Sequence, residues 1–147
     1  GMRTAPTIVA GTESPDGTFI PTEQGAPVRV VSAQTSEQIL AMLEEVVTNG
    51  TGRAAQIPGY RVGGKTGTAQ APDDNGELTR TVASFVGIAP TDNPRIVVSV
   101  ILYDPQSSIW GGDVAAPVFR DVATFALQTL RVPPSSGEQA RFPTTWE

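Results

Sequence analysis

Apolar positions recur with two different periods along the chain. Over residues 35–49, Ile39, Leu40, Met42, Leu43, Val46 and Val47 fall at i, i+3, i+4 and i+7, the spacing of one helical face. Thr35 and Gln38 have the spacing of a capping box, and Asn49-Gly50 supplies a stop. The pattern predicts a helix over 35–49, with Glu37, Glu44 and Glu45 on its solvated side. From residue 60 the pattern shortens to strand-like runs over 60–68, 81–89 and 95–103. The last is so apolar that it should be central and covered on both faces. The connections are short: Pro72-Asp73-Asp74-Asn75-Gly76 in one, 90–94 in the other. They predict an antiparallel meander. Helical spacing returns over 117–130, with Pro117 suited to a first helical position. Val118, Val122 and Ala126, with Phe119, Ala123 and Leu130, form the face expected to pack on the sheet. Residues 6–10 and 27–31 are strand candidates, and Ser14-Pro15-Asp16-Gly17 is a turn signal. Residues 132–147 are Pro/Ser-rich and read as a tail, with Phe142 and Trp146 as its anchors. These elements predict an α+β fold, an antiparallel sheet flanked by helices.

Length and composition narrow the chemistry. A chain of 147 residues is about one domain at ~100–200 residues per domain. Hydrophobic residues at 39% and charged residues at 17%, with a mean hydropathy of −0.09, fit a packed core and not wholesale disorder. There is no cysteine and no histidine. Disulfides, Cys/His zinc sites, a cysteine nucleophile and any Ser-His-Asp scheme are thereby excluded from this chain. A net charge of −5 disfavours nucleic acid and anionic lipid as partners. The longest apolar run, 96–103, falls far short of the ~20 residues that span a bilayer, and no secretory signal is present. Gly1-Met2 has the look of a tag remnant before an initiator, so the chain is expected to be cut down from a longer one. Arginine occurs nine times and lysine once, at Lys65. Any chemistry that needs a lysine must use that one.

Two motifs compete for Lys65. Gly59-Tyr60-Arg61-Val62-Gly63-Gly64-Lys65-Thr66 matches the nucleotide-binding pattern G-x-x-x-x-G-K-[ST], and Asp104 closes the apolar 97–104 run as a Walker B aspartate would. A P-loop needs a helix that starts at the Lys-Thr. Here Gly67, Pro72, Asp73, Asp74, Asn75 and Gly76 follow, and they will not hold a helix. Lys65-Thr66-Gly67, extended by Thr68, is instead the K-T-G motif of serine β-lactamases and penicillin-binding proteins. An edge strand offers a free N–H row and hydroxyls to an extended peptide. Thr66 and Thr68 can bond a substrate carboxylate, Lys65 supplies charge, and Gly67 leaves room for substrate against the backbone. The bland alternative is a Gly-rich structural strand with an exposed lysine. Asp73 and Asp74 read as turn residues, since the calcium-loop pattern is not met. Ser107 and Ser108 read as loop residues. Trp110 is a candidate core aromatic.

The flanks of the motif carry a family resemblance. Residues 59–70, GYRVGGKTGTAQ, resemble the K-T-G strand of class B penicillin-binding proteins, the peptidoglycan D,D-transpeptidases of bacterial division and elongation. Thr48-Asn49-Gly50-Thr51-Gly52-Arg53-Ala54-Ala55 is similar to the helix end and T-G-x-A turn before that strand. Residues 83–90, ASFVGIAP, resemble the next strand, and 110–119, WGGDVAAPVF, the entry to the last helix. The resemblance covers roughly residues 5–131.

It implies the C-terminal portion of the β-lactamase/transpeptidase-like fold over 1–131, followed by the tail over 132–147. It further implies a serine acyl-enzyme mechanism without metal or organic cofactor. The implied substrate-binding residues are Lys65, Thr66, Gly67, Thr68 and Trp110, acting on a peptidoglycan stem peptide or a β-lactam. Lys65 would also contact the serine of the family's S-x-N motif. The backbone N–H of Thr68 would complete an oxyanion hole. The expected location is the extracytoplasmic face of the bacterial membrane, through an anchor outside this chain. One departure is arithmetic: no Ser is followed by Lys three positions on, and none by Asn two positions on. The S-x-x-K nucleophile and the S-x-N motif are therefore missing. The chain is expected to be the K-T-G half of a site, inactive alone and paired with the N-terminal half of the domain. A catalytically inactive module of the same fold and a P-loop-like nucleotide binder stand as alternatives. Septal and lateral cell-wall roles remain equally open.

Overall fold

A computed structural model of the chain describes residues 1–136. Two compact units divide after Gln38. The first, Gly1–Gln38, holds two small antiparallel pairs. β1 (Met2–Arg3) pairs with β4 (Val28–Arg29), and β2 (Gly11–Glu13) with β3 (Phe19–Pro21). The turn signal at Ser14 is realised: Gly17 N–H donates to the Ser14 carbonyl at 2.9 Å between β2 and β3. The strand expected over 6–10 does not form. There the Thr7 hydroxyl and the Val9 backbone bond each other, a local alternative to a ladder. The strand expected over 27–31 is cut to Val28–Arg29. No residue of this unit is buried.

Helix α1 (Ala33–Thr48) matches the predicted helix within two residues, but its cap differs. The Ser32 hydroxyl accepts the Thr35 N–H at 3.0 Å, so Ser32 and not Thr35 caps the helix. A larger correction concerns Glu44. It is only 1% exposed and lies among the buried residues of α1 with Ala41 and Val47. Ile39 and Met42, expected inside, are exposed.

The meander forms as predicted. β5 (Gly63–Ala71), β6 (Arg80–Ala89) and β7 (Ile96–Tyr103) make one antiparallel sheet in that order. Lys65 pairs with Val86 and Thr68 with Ala83 across the first ladder, and Phe85 pairs with Val100 across the second. β6 is therefore the central strand. β7, expected to be central and covered on both sides, is an edge among the described residues. Its composition misleads because only one of its two apolar faces is packed. Ile96, Val98, Val100 and Leu102 join the core, while Val97, Ile101 and Tyr103 are 68%, 52% and 78% exposed. Val86 of β6 extends this open face, since cross-strand partners point the same way.

The core lies on the other side. Phe85 meets Phe119 edge-on, with ring centroids 4.9 Å apart, a geometry worth about 0.5–1.5 kcal/mol beyond area. Phe119 belongs to α3 (Ala116–Thr129), which follows a short helix, α2 (Gly111–Val114). Pro117 sits in the first turn of α3, one position after the helix start at Ala116 and not at the first position expected. The buried stripe of α3 is Ala116, Phe119, Ala123 and Leu127, whereas Val118, Val122 and Leu130 are exposed. The predicted face was thus rotated by about one residue. Past α3 the chain returns to the strand entry: the Tyr60 hydroxyl donates to the Val132 carbonyl at 2.7 Å. Phe142 and Trp146 lie outside the described residues.

Candidate functional site

Lys65, Thr66, Gly67 and Thr68 are consecutive in β5, which has β6 on one side and no strand on the other among the described residues. An edge strand leaves alternate N–H and C=O groups without ladder partners. At Thr66 this is visible directly, because its carbonyl accepts a bond from Lys65 Nζ at 2.9 Å. Lys65 Nζ also reaches Thr66 Oγ1 at 3.1 Å. The lysine thus lies along the strand edge beside the threonine hydroxyl, and it makes no ion pair among the described residues. Alternation puts Lys65 and Gly67 on the face of Val86 and Ser84, and Thr66 and Thr68 on the opposite face with Phe85 and Ala83.

Two further segments meet this edge. Thr51 follows α1, and its Oγ1 lies 2.9 Å from Thr66 Oγ1. The start of α2 approaches from the other end: Gly111 N–H donates to Thr68 Oγ1 at 3.4 Å. That approach demands glycine. A Cβ on Gly111 would lie 2.1 Å from the Ser84 carbonyl oxygen and 2.6 Å from that of Gly67, both unyielding backbone atoms. Trp110 directly precedes this contact and is 60% exposed, so it is not a core aromatic. Ser108, read as a plain loop residue, accepts the Trp110 N–H at 3.2 Å and donates to Asp113 at 2.8 Å, which fixes the loop before α2. Thr51 was missed as a site residue. Only its place in the turn motif hinted at it, since a lone threonine carries no signal.

The connection from β5 to β6 is held by Asp73. The Asn75 backbone N–H, then the Thr79 hydroxyl, keep its carboxyl below the usual carboxylate value. This confirms Asp73 as a turn residue. A cavity of about 450 Å³, lined in part by Val47, Arg53, Ile57, Arg61 and Arg120, does not include Lys65, Thr66 or Thr68 among its lining residues.

No helix begins at Lys65; the residues form a strand. Phosphate binding of the P-loop kind needs that helix N-terminus, so the geometry removes the nucleotide reading. Residues 1–124 match the family described as the penicillin binding protein transpeptidase domain. The chain belongs to that family. Its relatives are class B penicillin-binding proteins, as the motif order implied. It is 45% identical to the stage V sporulation protein D of Bacillus subtilis, over 77% of this chain and 18% of that protein. It is 38% identical to the penicillin-binding protein PbpB of Mycobacterium tuberculosis, over 90% of this chain and 21% of that one. Among solved structures it resembles penicillin-binding protein 3 of M. tuberculosis complexed with ampicillin. The TM-score is 0.81 and the identity 37%, covering 93% of this chain and 33% of that one. A peptidoglycan synthetase from Bifidobacterium adolescentis gives the same TM-score at 31% identity, over 93% and 25% of the two chains. The chain thus spans about a fifth of the length of these curated relatives. Among the described residues no helix is long and apolar enough to cross a membrane.

Proposed function

We propose that this chain supplies the substrate-binding wall of a serine-type peptidoglycan D,D-transpeptidase, over residues 1–131, with 132–147 as a tail. The observation that carries the reading is the position of Lys65, Thr66 and Thr68 on a strand edge that has no pairing strand among the described residues. An extended stem peptide, or a β-lactam that imitates one, would lie along that edge and borrow its unpaired backbone groups. Thr66 and Thr68 would hold the ligand carboxylate. Lys65, already beside Thr66 Oγ1, would add positive charge and contact the serine of an S-x-N motif supplied from elsewhere. The Thr68 N–H would serve as one oxyanion donor, and Gly67 would let the ligand approach. Trp110 would stand at the mouth of the site.

The nucleophile would come from an S-x-x-K segment in an N-terminal half of the domain. The open face formed by Val86, Val97, Ile101 and Tyr103, together with the edge of β7 that is unpaired among the described residues, offers that half a seat. The reaction would be acyl transfer through a serine acyl-enzyme, at the outer face of the bacterial membrane.

The test uses a full-length transpeptidase carrying this segment. Lys65→Ala should slow acylation by fluorescent penicillin by roughly 10²-fold, because it removes a charge aimed at the developing anion. Unchanged acylation would reduce Lys65 to a structural residue. No acylation of the unsubstituted protein would favour an inactive module of the same fold.

A further inference from the structure

Glu44 is the buried acid that the substrate-binding reading leaves without a role. A carboxylate 1% exposed is costly unless paired and fully hydrogen-bonded. Here it is both. Arg61 Nε donates to one oxygen and an Arg61 Nη to the other, each at 3.0 Å, in a two-pronged fork. The Thr91 hydroxyl also donates to Glu44. Thr91 N–H in turn donates to the Arg61 carbonyl at 2.9 Å. Arg61 N–H donates to Ser135 Oγ at 2.9 Å, and Ser135 Oγ donates to Asp92 at 2.8 Å. Three separate segments therefore converge on one residue: helix α1 on its guanidinium, and the loop after β6 and the chain that follows α3 on its backbone.

That residue stands two positions before β5 and four before Lys65. The strand start is also pressed against the same partners. A Cβ on Gly63 would lie 2.9 Å from Thr91 Cγ2 and 3.1 Å from Leu43 Cβ. The first residue of β5 is thus wedged against the α1 turn that carries Glu44. Farther along, β5 depends on one ladder to β6, on Thr51 and on Gly111. An edge strand with a single ladder opens more readily than a central one.

We infer that Glu44 and Arg61 are positioning residues for the K-T-G strand: their buried fork, closed by Thr91, fixes where β5 begins and hence where Lys65, Thr66 and Thr68 sit. The inference rests on the substrate-binding reading above. A site that must hold its groups within a fraction of an ångström needs such a supporting shell. The fork acts on ligand through the strand and does not touch it.

Amide hydrogen exchange on the present chain reads the local effect without any need for activity. Arg61→Ala should speed exchange at the ladder-bonded amides among residues 63–68 by about tenfold or more, while the ladder-bonded amides of 98–102 in β7 change little. Equal acceleration across the sheet, or none, would overturn the inference. Should Arg61→Ala fail to fold, Arg61→Lys carries the test. It keeps the charge and loses the fork, so the same amides should still exchange severalfold faster, and unaltered exchange there overturns the inference. In a full-length transpeptidase, Arg61→Lys should lower the penicillin acylation rate while leaving the unfolding temperature within a few degrees. If Lys65→Ala abolishes acylation but the Arg61 variants alter neither exchange nor acylation, the positioning role alone falls. If Lys65→Ala has no effect while the Arg61 variants still loosen β5, the substrate-binding reading falls.

Discussion

Single atoms decide how tightly β5 and β6 are built. A Cβ on Gly64 would lie 2.4 Å from the Phe85 ring and 2.8 Å from the Val86 carbonyl oxygen. The ring is fully buried against Phe119 and has nowhere to retreat. Gly64→Ala should therefore destabilise the fold by about 1–3 kcal/mol, the usual cost of overpacking, as read by chemical denaturation. A change within experimental error would show that the core around Phe85 is looser than its contacts imply. Much of the candidate site was legible at this scale, because Lys65 is the only lysine and its neighbours form a contiguous motif. What was not legible came from residues distant in sequence. Glu44 looks like any solvated glutamate until Arg61, 17 positions later, reaches its two oxygens. Thr51 gains meaning only when Thr66 lies opposite it.

Elements were legible wherever a long periodic pattern had room to repeat. Helix α1, the three strands and α3 all appear within a few residues of expectation, and the short links fixed the meander. The packed side of each element was less secure. In α3 both Val118-Val122 and Phe119-Ala123 have helical spacing, and only the sheet chooses between them. It chose Ala116, Phe119, Ala123 and Leu127, because small alanines let the helix come close while Phe119 fills the space over Gly87. The choice is testable by contrast. Leu127→Ala should cost about 2–5 kcal/mol, the range for a buried leucine. Val122→Ala, at an exposed position, should stay within about 0.5 kcal/mol. Comparable losses at both sites in thermal unfolding would mean that the apolar face read from the sequence was the packed one. β7 failed for a related reason. A run apolar on both faces signals that both could be covered, and here the described residues cover one.

At the scale of the whole molecule, the described residues leave one sheet face open, and on the proposed reading they form one side of a site. The first unit buries no residue, and Val97, Ile101 and Tyr103 stand open beside a strand edge that is unpaired among the described residues. Serine is a weak nucleophile near neutral pH unless an adjacent base takes its proton, and the chain has no histidine and a single lysine. The hydroxyl that this lysine meets is that of Thr66, which in turn lies against the hydroxyl of Thr51. Ser84 lies across the ladder from Gly67, on the face of Lys65. It would be the serine to watch, but Lys65 Nζ is engaged with Thr66 at the strand edge. The present chain should therefore form no covalent adduct with penicillin, even where Thr66 and Thr68 retain weak affinity for its carboxylate. Incubation with fluorescent penicillin, followed by a denaturing gel and intact-mass measurement, checks this. Adding a separately expressed N-terminal half that carries S-x-x-K and S-x-N should place the label on that half. A stoichiometric adduct on this chain alone, at Ser84 or any other serine, would show that it holds a nucleophile and its base, and the one-walled reading of the site would fall.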